Sequence, residues 1–213
     1  WSYITANEGC GRRVQDYISF MWTGAIASLF VRNVDIVVGT SPQFFMTCAA
    51  RFVAGAKRVP FVFELRDLWP ESIKAVGAMK DSLVLRLLEK IELSLYRRAR
   101  CIVSVTNSFR RSLIQRGIDG SKIGVVTNGV DISRFSLRPR DRYLEARLNL
   151  GGKFVACYIG THGLAHALHT LLDAAARLKQ LPGGDRFALL LLGDGAEKEK
   201  FMRRAEEMQL DNV

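Results

Sequence analysis

With 213 residues, 48% of them hydrophobic and 24% charged, the chain has the composition of a globular protein, which excludes disordered, collagen-like and low-complexity classes. Its formal charge of +10 is unevenly placed: residues 1–150 carry 23 basic and 13 acidic side chains, and residues 151–213 carry 8 of each. The first portion is therefore expected to face something anionic: a lipid headgroup surface, a phosphorylated substrate or nucleic acid.

Val14–Val31 reads as a helix with Tyr17, Ile18, Met21, Trp22, Ala25, Leu29 and Phe30 on its apolar side. It suits a core helix first; with Arg12, Arg13 and Arg32 nearby, a helix lying in a membrane interface is the second reading. The uncharged run Tyr17–Val31 is shorter than the ~20 residues of a membrane-spanning helix. Asp35–Gly39 is the first strand, and Thr40, Ser41 and Pro42 have the character of a cap and first turn for a helix through about Gly55. Val59–Leu65 is the next strand, running into Arg66-Asp67-Leu68-Trp69-Pro70-Glu71. Asp81 or Ser82 can cap the helix Leu83–Arg98, whose leucines and Ile91 recur at helical spacing. Cys101–Val105 is a strand, Thr106-Asn107-Ser108 caps a short helix closed by Gly117, and Lys122–Val126 is a strand leading to Asn128-Gly129-Val130-Asp131.

The stretch Ile132–Gly152 lacks sheet character and reads as a crossing between two domains, 1–150 and 151–213. Beyond it come strand Phe154–Ile159, a Gly-rich turn, helix Leu164–Leu181, strand Phe187–Leu192, Gly193-Asp194-Gly195 and helix Ala196–Gln209. Alternating strands and helices imply an α/β fold of doubly wound parallel sheets. Cys10, Cys48, Cys101 and Cys157 form no C-x-x-C pair and read as reduced, mostly buried thiols.

Ligands of open parallel sheets bind beyond the carboxyl ends of the strands, so the segments after strands are the candidates. In Gly160-Thr161-His162-Gly163, glycines would let backbone N–H groups approach a phosphate at a helix start; a plain structural turn is the alternative. Gly193-Asp194-Gly195 poses the same choice. His162, His166 and His169 would share a face if the helix began early, which invites a metal reading; without an H-E-x-x-H arrangement, and with His162 read in the turn, no metal is expected. Imidazoles aimed at a phosphate from a helix start, or plain surface or packed histidines, are the other readings. Arg66 and Asp67, backed by Trp69 and Pro70, suit a ligand-facing loop, or else a solvated ion pair beside a packed Trp. Asn128, Gly129 and Asp131 form either a turn or part of a cleft before the crossing.

Taken in order, Phe63–Ser72 (FELRDLWPES), Val126–Asp131 (VTNGVD), Tyr158–His166 (YIGTHGLAH) and Leu192–Gly195 (LGDG) resemble family 4 retaining glycosyltransferases, and the subgroup they are most similar to is the bacterial fucosamine-type transferases. The resemblance implies a GT-B-like fold: two Rossmann-like, doubly wound parallel-sheet domains, both incomplete in this chain. The first would take the acceptor, often a polyprenyl-linked glycan at the inner face of the cytoplasmic membrane, and the second a nucleoside diphosphate sugar, a UDP-sugar being favoured. It implies a donor site of Gly160, Thr161, His162, Gly163, His166, Gly193, Asp194 and Gly195, catalytic roles for Arg66 and Asp67, and cleft positions for Asn128, Gly129 and Asp131. No metal cofactor is implied.

The sequence departs from the family where Thr161 and His166-Ala167 replace a common Arg and a Lys-Gly pair, and where Arg66 replaces a His. Arginine does not serve as a general base, so Arg66 would act electrostatically. The resemblance also implies that an acidic ribose-binding motif lies beyond Val213 and a glycine-rich acceptor loop before Trp1. The chain is then expected to be the middle of a protein nearly twice as long, inactive in sugar transfer alone. Two other classes are a nucleotide-sugar epimerase on the same architecture and a basic nucleic-acid binder; no RNP-like or helix-turn-helix signature supports the latter.

Overall fold

The computed structural model describes residues 10–69 and 82–213. The chain divides into two compact α/β units after Val130, so Ile132–Gly152, read from sequence as the crossing, falls inside the second unit. The reason is local. Asp141 caps a short helix there by accepting from the Tyr143 and Leu144 amides, and the Arg140 guanidinium reaches both Glu145 and the Lys153 carbonyl just before the next strand.

The first unit contains α1 (Cys10–Phe30), β1 (Val37–Thr40), α2 (Phe44–Lys57), β2 (Phe61–Leu65), α3 (Leu83–Arg98), β3 (Cys101–Ser104), α4 (Asn107–Gln115) and β4 (Ile123–Val125). The four strands are all parallel in the order β1-β2-β3-β4. Side chains alternate along β2: Phe61, Phe63 and Leu65 are buried, while Val62 and Glu64 are half-buried, as a period of two requires. Phe61, Phe63, Leu65, Leu95, Tyr96, Ile102, Leu113 and Ile123 share one core. Ser82 accepts from the Leu85 amide and Thr106 from the Phe109 amide, capping α3 and α4; Asp81, the other candidate cap, lies outside the described residues. α1 packs against α2 through Ala25, Ala49 and Val53, which favours the core-helix reading for that side of α1. Among the described residues no helix is long and apolar enough to cross a membrane.

One buried polar group belongs to this core. The Tyr96 hydroxyl donates to one Glu92 carboxylate oxygen and Arg116 donates to the other, each at 2.6 Å. Burial, and then the Glu92 charge, hold the Tyr96 phenol far above its usual pKa, so it remains a donor. Burial likewise pushes the Cys48 thiol up to about 11.

The second unit contains α5 (Arg142–Arg147), β5 (Phe154–Ile159), α6 (His169–Lys179), β6 (Phe187–Leu192) and α7 (Lys198–Glu207). β5 and β6 are parallel, in register from Phe154↔Phe187 to Ile159↔Leu192, over a core of Leu168, Leu172, Ala175, Phe201 and Leu210. The expected single helix Leu164–Leu181 is a correction. A 3-10 turn at Leu164–His166 ends on Ala167, which has the left-handed angles φ 47, ψ 38, and α6 begins only at His169. Leu168, buried to 1% exposure, anchors this break in the core.

Candidate functional site

Because β5 and β6 end in register at Ile159 and Leu192, the turns that follow them start side by side. The Gly160 N–H donates to the Leu192 carbonyl at 3.0 Å, the His162 N–H to the Asp194 carbonyl at 2.8 Å, and the Glu197 N–H to the His162 carbonyl at 3.0 Å. Two turns read separately from sequence are thus one assembly. Its closeness depends on glycine: a Cβ on Gly193 would overlap the Gly160 carbonyl oxygen, and one on Gly195, at φ 154, would lie 2.5 Å from the His162 carbonyl oxygen. Thr161, His166 and Asp194 are exposed. The Tyr158 hydroxyl donates to the Thr161 carbonyl at 2.9 Å, and Gly163 accepts from the His166 amide.

His162 is the buried member, at 5% exposure. Its ring lies 6.1 Å from that of Tyr158 and 6.3 Å from that of Phe201. The break at Ala167 leaves His162 in the turn, His166 in the 3-10 segment and His169 at the start of α6, so the three do not share a helical face. Among the described residues no three His, Cys, Asp or Glu side chains gather as metal ligands. The α-helix starts only at His169, so it does not begin directly after Gly163.

The carboxyl edge of the first sheet holds the other candidates. Ser41 is 4% exposed; its hydroxyl accepts from the Arg66 amide at 2.9 Å and the Asp67 amide at 3.2 Å, and donates to the Asp67 carbonyl at 3.2 Å. Thr40 beside it donates to a Glu64 carboxylate oxygen at 2.6 Å. Trp69 stacks on Phe44 with ring centroids 4.5 Å apart. This strap holds the loop after β2, with Arg66 exposed and Asp67 half-buried. Pro70, Glu71 and Ser72 of the same motif lie outside the described residues.

Ser41 is not the helix cap its sequence context suggests: α2 starts after Gln43 without a side-chain cap. Thr40, Ser41 and Glu64 were not legible as site residues. The available signal is that Thr40-Ser41 ends one strand as Arg66-Asp67 follows the next, and parallel neighbours bring such ends together. Ser41→Ala removes an acceptor from two amides. It is expected to cost about 1–3 kcal/mol, read as a lower urea midpoint at unchanged slope.

Asn128 and Gly129 follow β4 and are exposed at the end of the first unit, while Asp131 opens the second. Asp131 closes its own turn, accepting from the Ser133 hydroxyl at 2.6 Å and amide at 2.9 Å. Those bonds hold its carboxyl below the ordinary value.

The profile of Glycosyltransferase Family 4 matches residues 10–134, more than half of the chain. The chain belongs to Glycosyltransferase Family 4. Solved structures resemble this Family 4 chain throughout both units. The Anabaena protein Alr3699/HepE, in complex with UDP-glucose, has a TM-score of 0.69 at 18% identity over 99% of this chain and 53% of its own. Sucrose-phosphate synthase from Thermosynechococcus elongatus has a TM-score of 0.63 at 16% identity, over 98% of this chain and 50% of its own. TarM has 0.61 at 14% identity, over 89% and 34%. At these identities the likeness shows the fold, which is α/β and GT-B-like. The chain spans about half the length of the first two structures. No curated protein matches it by sequence.

Proposed function

We propose that the protein is a retaining glycosyltransferase that moves a sugar from a UDP-sugar to a polyprenyl-linked glycan acceptor in bacterial cell-surface polysaccharide or lipopolysaccharide synthesis, of the fucosamine-transferase kind. The observation that carries the donor half of this reading is the glycine-dependent two-turn assembly at the carboxyl ends of β5 and β6, in a Family 4 chain. HepE was solved with UDP and with UDP-glucose, and S. aureus TarM with fondaparinux, alpha-GlcNAc-glycerol and UDP; a UDP-sugar donor and a glycan acceptor extend those ligands to this protein.

In this reading the donor diphosphate rests against Gly160–Gly163, with Thr161 and His166 at the surface of the turn and Gly193–Gly195 behind it. The bond from the anomeric carbon to the diphosphate oxygen breaks. The acceptor oxygen bonds to that carbon on the same face, and its proton passes to the leaving phosphate. No protein general base is needed, which suits Arg66, a permanent cation that stabilises separating charge. The Family 4 resemblance gives Asp67 a role in positioning hydroxyls and gives Asn128, Gly129 and Asp131 cleft roles. The positive charge of residues 1–150 fits a peripheral position on the inner face of the cytoplasmic membrane, each nearby Lys or Arg contributing about 1 kcal/mol.

A nucleotide at a hundred times its Kd stabilises by about 2.7 kcal/mol, a shift of several degrees in melting temperature. UDP is expected to give that shift for the whole protein, while GDP and matched salt give none. Melting unchanged by UDP would overturn the donor assignment.

A further inference from the structure

We propose that the outer face of α3 is the surface by which this protein docks on an anionic lipid bilayer; the inference rests on the membrane reading above and names the element responsible. Leu83 is 82% exposed, Val84 and Leu87 58% each, and Ile91 36%. At 100° per residue these four fall within an arc of about 100°. Arg86 and Lys90, both exposed, run along one border of that arc. Leu85, Glu92 and Tyr96 point the other way into the core, and Glu89 lies on the flank opposite the apolar arc. An uncharged apolar stripe edged by cations is the chemistry of a helix that lies in a bilayer surface, its side chains entering the acyl boundary and its cations meeting headgroup phosphates.

Position on the fold supports the same assignment. A helix connecting parallel neighbours runs back against the strands, so α3 starts at the carboxyl edge of the sheet and descends from it. The most exposed apolar residues, Leu83, Val84 and Leu87, therefore sit at the end of the unit that carries Arg66 and Asp67. A bilayer meeting this face lies beside that loop, where a lipid-borne acceptor would arrive. α1 also exposes apolar side chains, among them Trp22, Ile26 and Phe30. Its cations, however, stand only at its ends, Arg12 and Arg13 in the first turn and Arg32 just past the last, whereas Arg86 and Lys90 run alongside the apolar arc of α3.

The test is cosedimentation of the full chain with phosphatidylcholine vesicles and with vesicles that also contain phosphatidylglycerol. The wild type is expected to bind the anionic vesicles only. Leu83→Glu with Leu87→Glu is expected to abolish binding, and Arg86→Ala with Lys90→Ala to weaken it about thirtyfold. Trp22→Ser with Phe30→Ser on α1 is expected to bind as the wild type does. All four α3 positions are exposed, so far-UV circular dichroism should be unchanged; if the glutamate pair unfolds the protein, the alanine pair alone decides. Should the wild type bind while the α3 variants bind equally well, or should the α1 variant be the one that loses binding, this inference falls and the membrane reading stands. A wild type that ignores anionic vesicles overturns both. Self-association that disappears in the glutamate pair would assign the face to a second copy and overturn the docking role.

Discussion

Gly193→Ala is expected to abolish UDP protection and to destabilise the second unit by about 3 kcal/mol or more. The added methyl would overlap the Gly160 carbonyl oxygen and stand 3.0 Å from both the Gly160 carbonyl carbon and His162 Cδ2. Two of those three atoms are backbone at the end of a strand, fixed by the Gly160 N–H bond to Leu192, and cannot turn aside as a side chain would. The turns must part instead, which breaks the His162 N–H bond to Asp194 and the Glu197 N–H bond to His162. Gly151→Ala is the control, since nothing lies within 4 Å of its added Cβ; it is expected to stay within about 0.5 kcal/mol of the wild type. Urea unfolding reads the stability of each variant, and melting with and without UDP reads the site. A Gly193→Ala protein that unfolds as the wild type does and keeps its UDP shift would separate the glycine assembly from the donor.

The features that sequence carries well are those fixed by neighbours a few residues away. Phe154–Ile159 and Phe187–Leu192 are strands over the very residues their apolar runs span, and Ser82 and Thr106 cap the helices they precede. What escapes is non-local or conformationally improbable. Leu164, Leu168, Leu171 and Leu172 continue a helical spacing without a gap, and an alanine gives no sign of left-handed backbone, so the break at Ala167 is invisible until Leu168 is seen locked in the core. Thr-Ser-Pro after a strand has the features of a helix cap; only the parallel register Thr40↔Glu64 turns the Ser41 hydroxyl toward amides 25 and 26 residues away. The candidate donor site follows the same logic. Its two glycine turns were each legible, but their union depends on the β5–β6 register and on two hydrogen bonds that no local pattern encodes.

Glu92→Ala is expected to cost about 3–5 kcal/mol, the range for removing one partner of a buried ion pair. Glu92 is only 2% exposed and Arg116 keeps 24% of its side chain accessible, so the loss leaves a largely buried guanidinium and the Tyr96 hydroxyl without that carboxylate. Glu92→Gln retains an acceptor for Tyr96 and gives up only the charge, so it should cost less. Replacing the set together, Glu92→Met with Arg116→Met and Tyr96→Phe, is expected to recover most of the loss, because apolar side chains of similar volume need no partners. Urea unfolding followed by circular dichroism orders the three; a Glu92→Ala chain within about 1 kcal/mol of the wild type would show that the pair does not hold the unit. The consequence reaches the site. Tyr96 packs on Phe63 with ring centroids 4.7 Å apart, and Phe63 lies on the strand that delivers Arg66 and Asp67 to the carboxyl edge. Loosening the buried carboxylate therefore loosens the strand under the proposed catalytic loop. The alanine variant of the whole protein should lose sugar transfer beyond what its unfolded fraction accounts for, and the triple apolar variant should regain it.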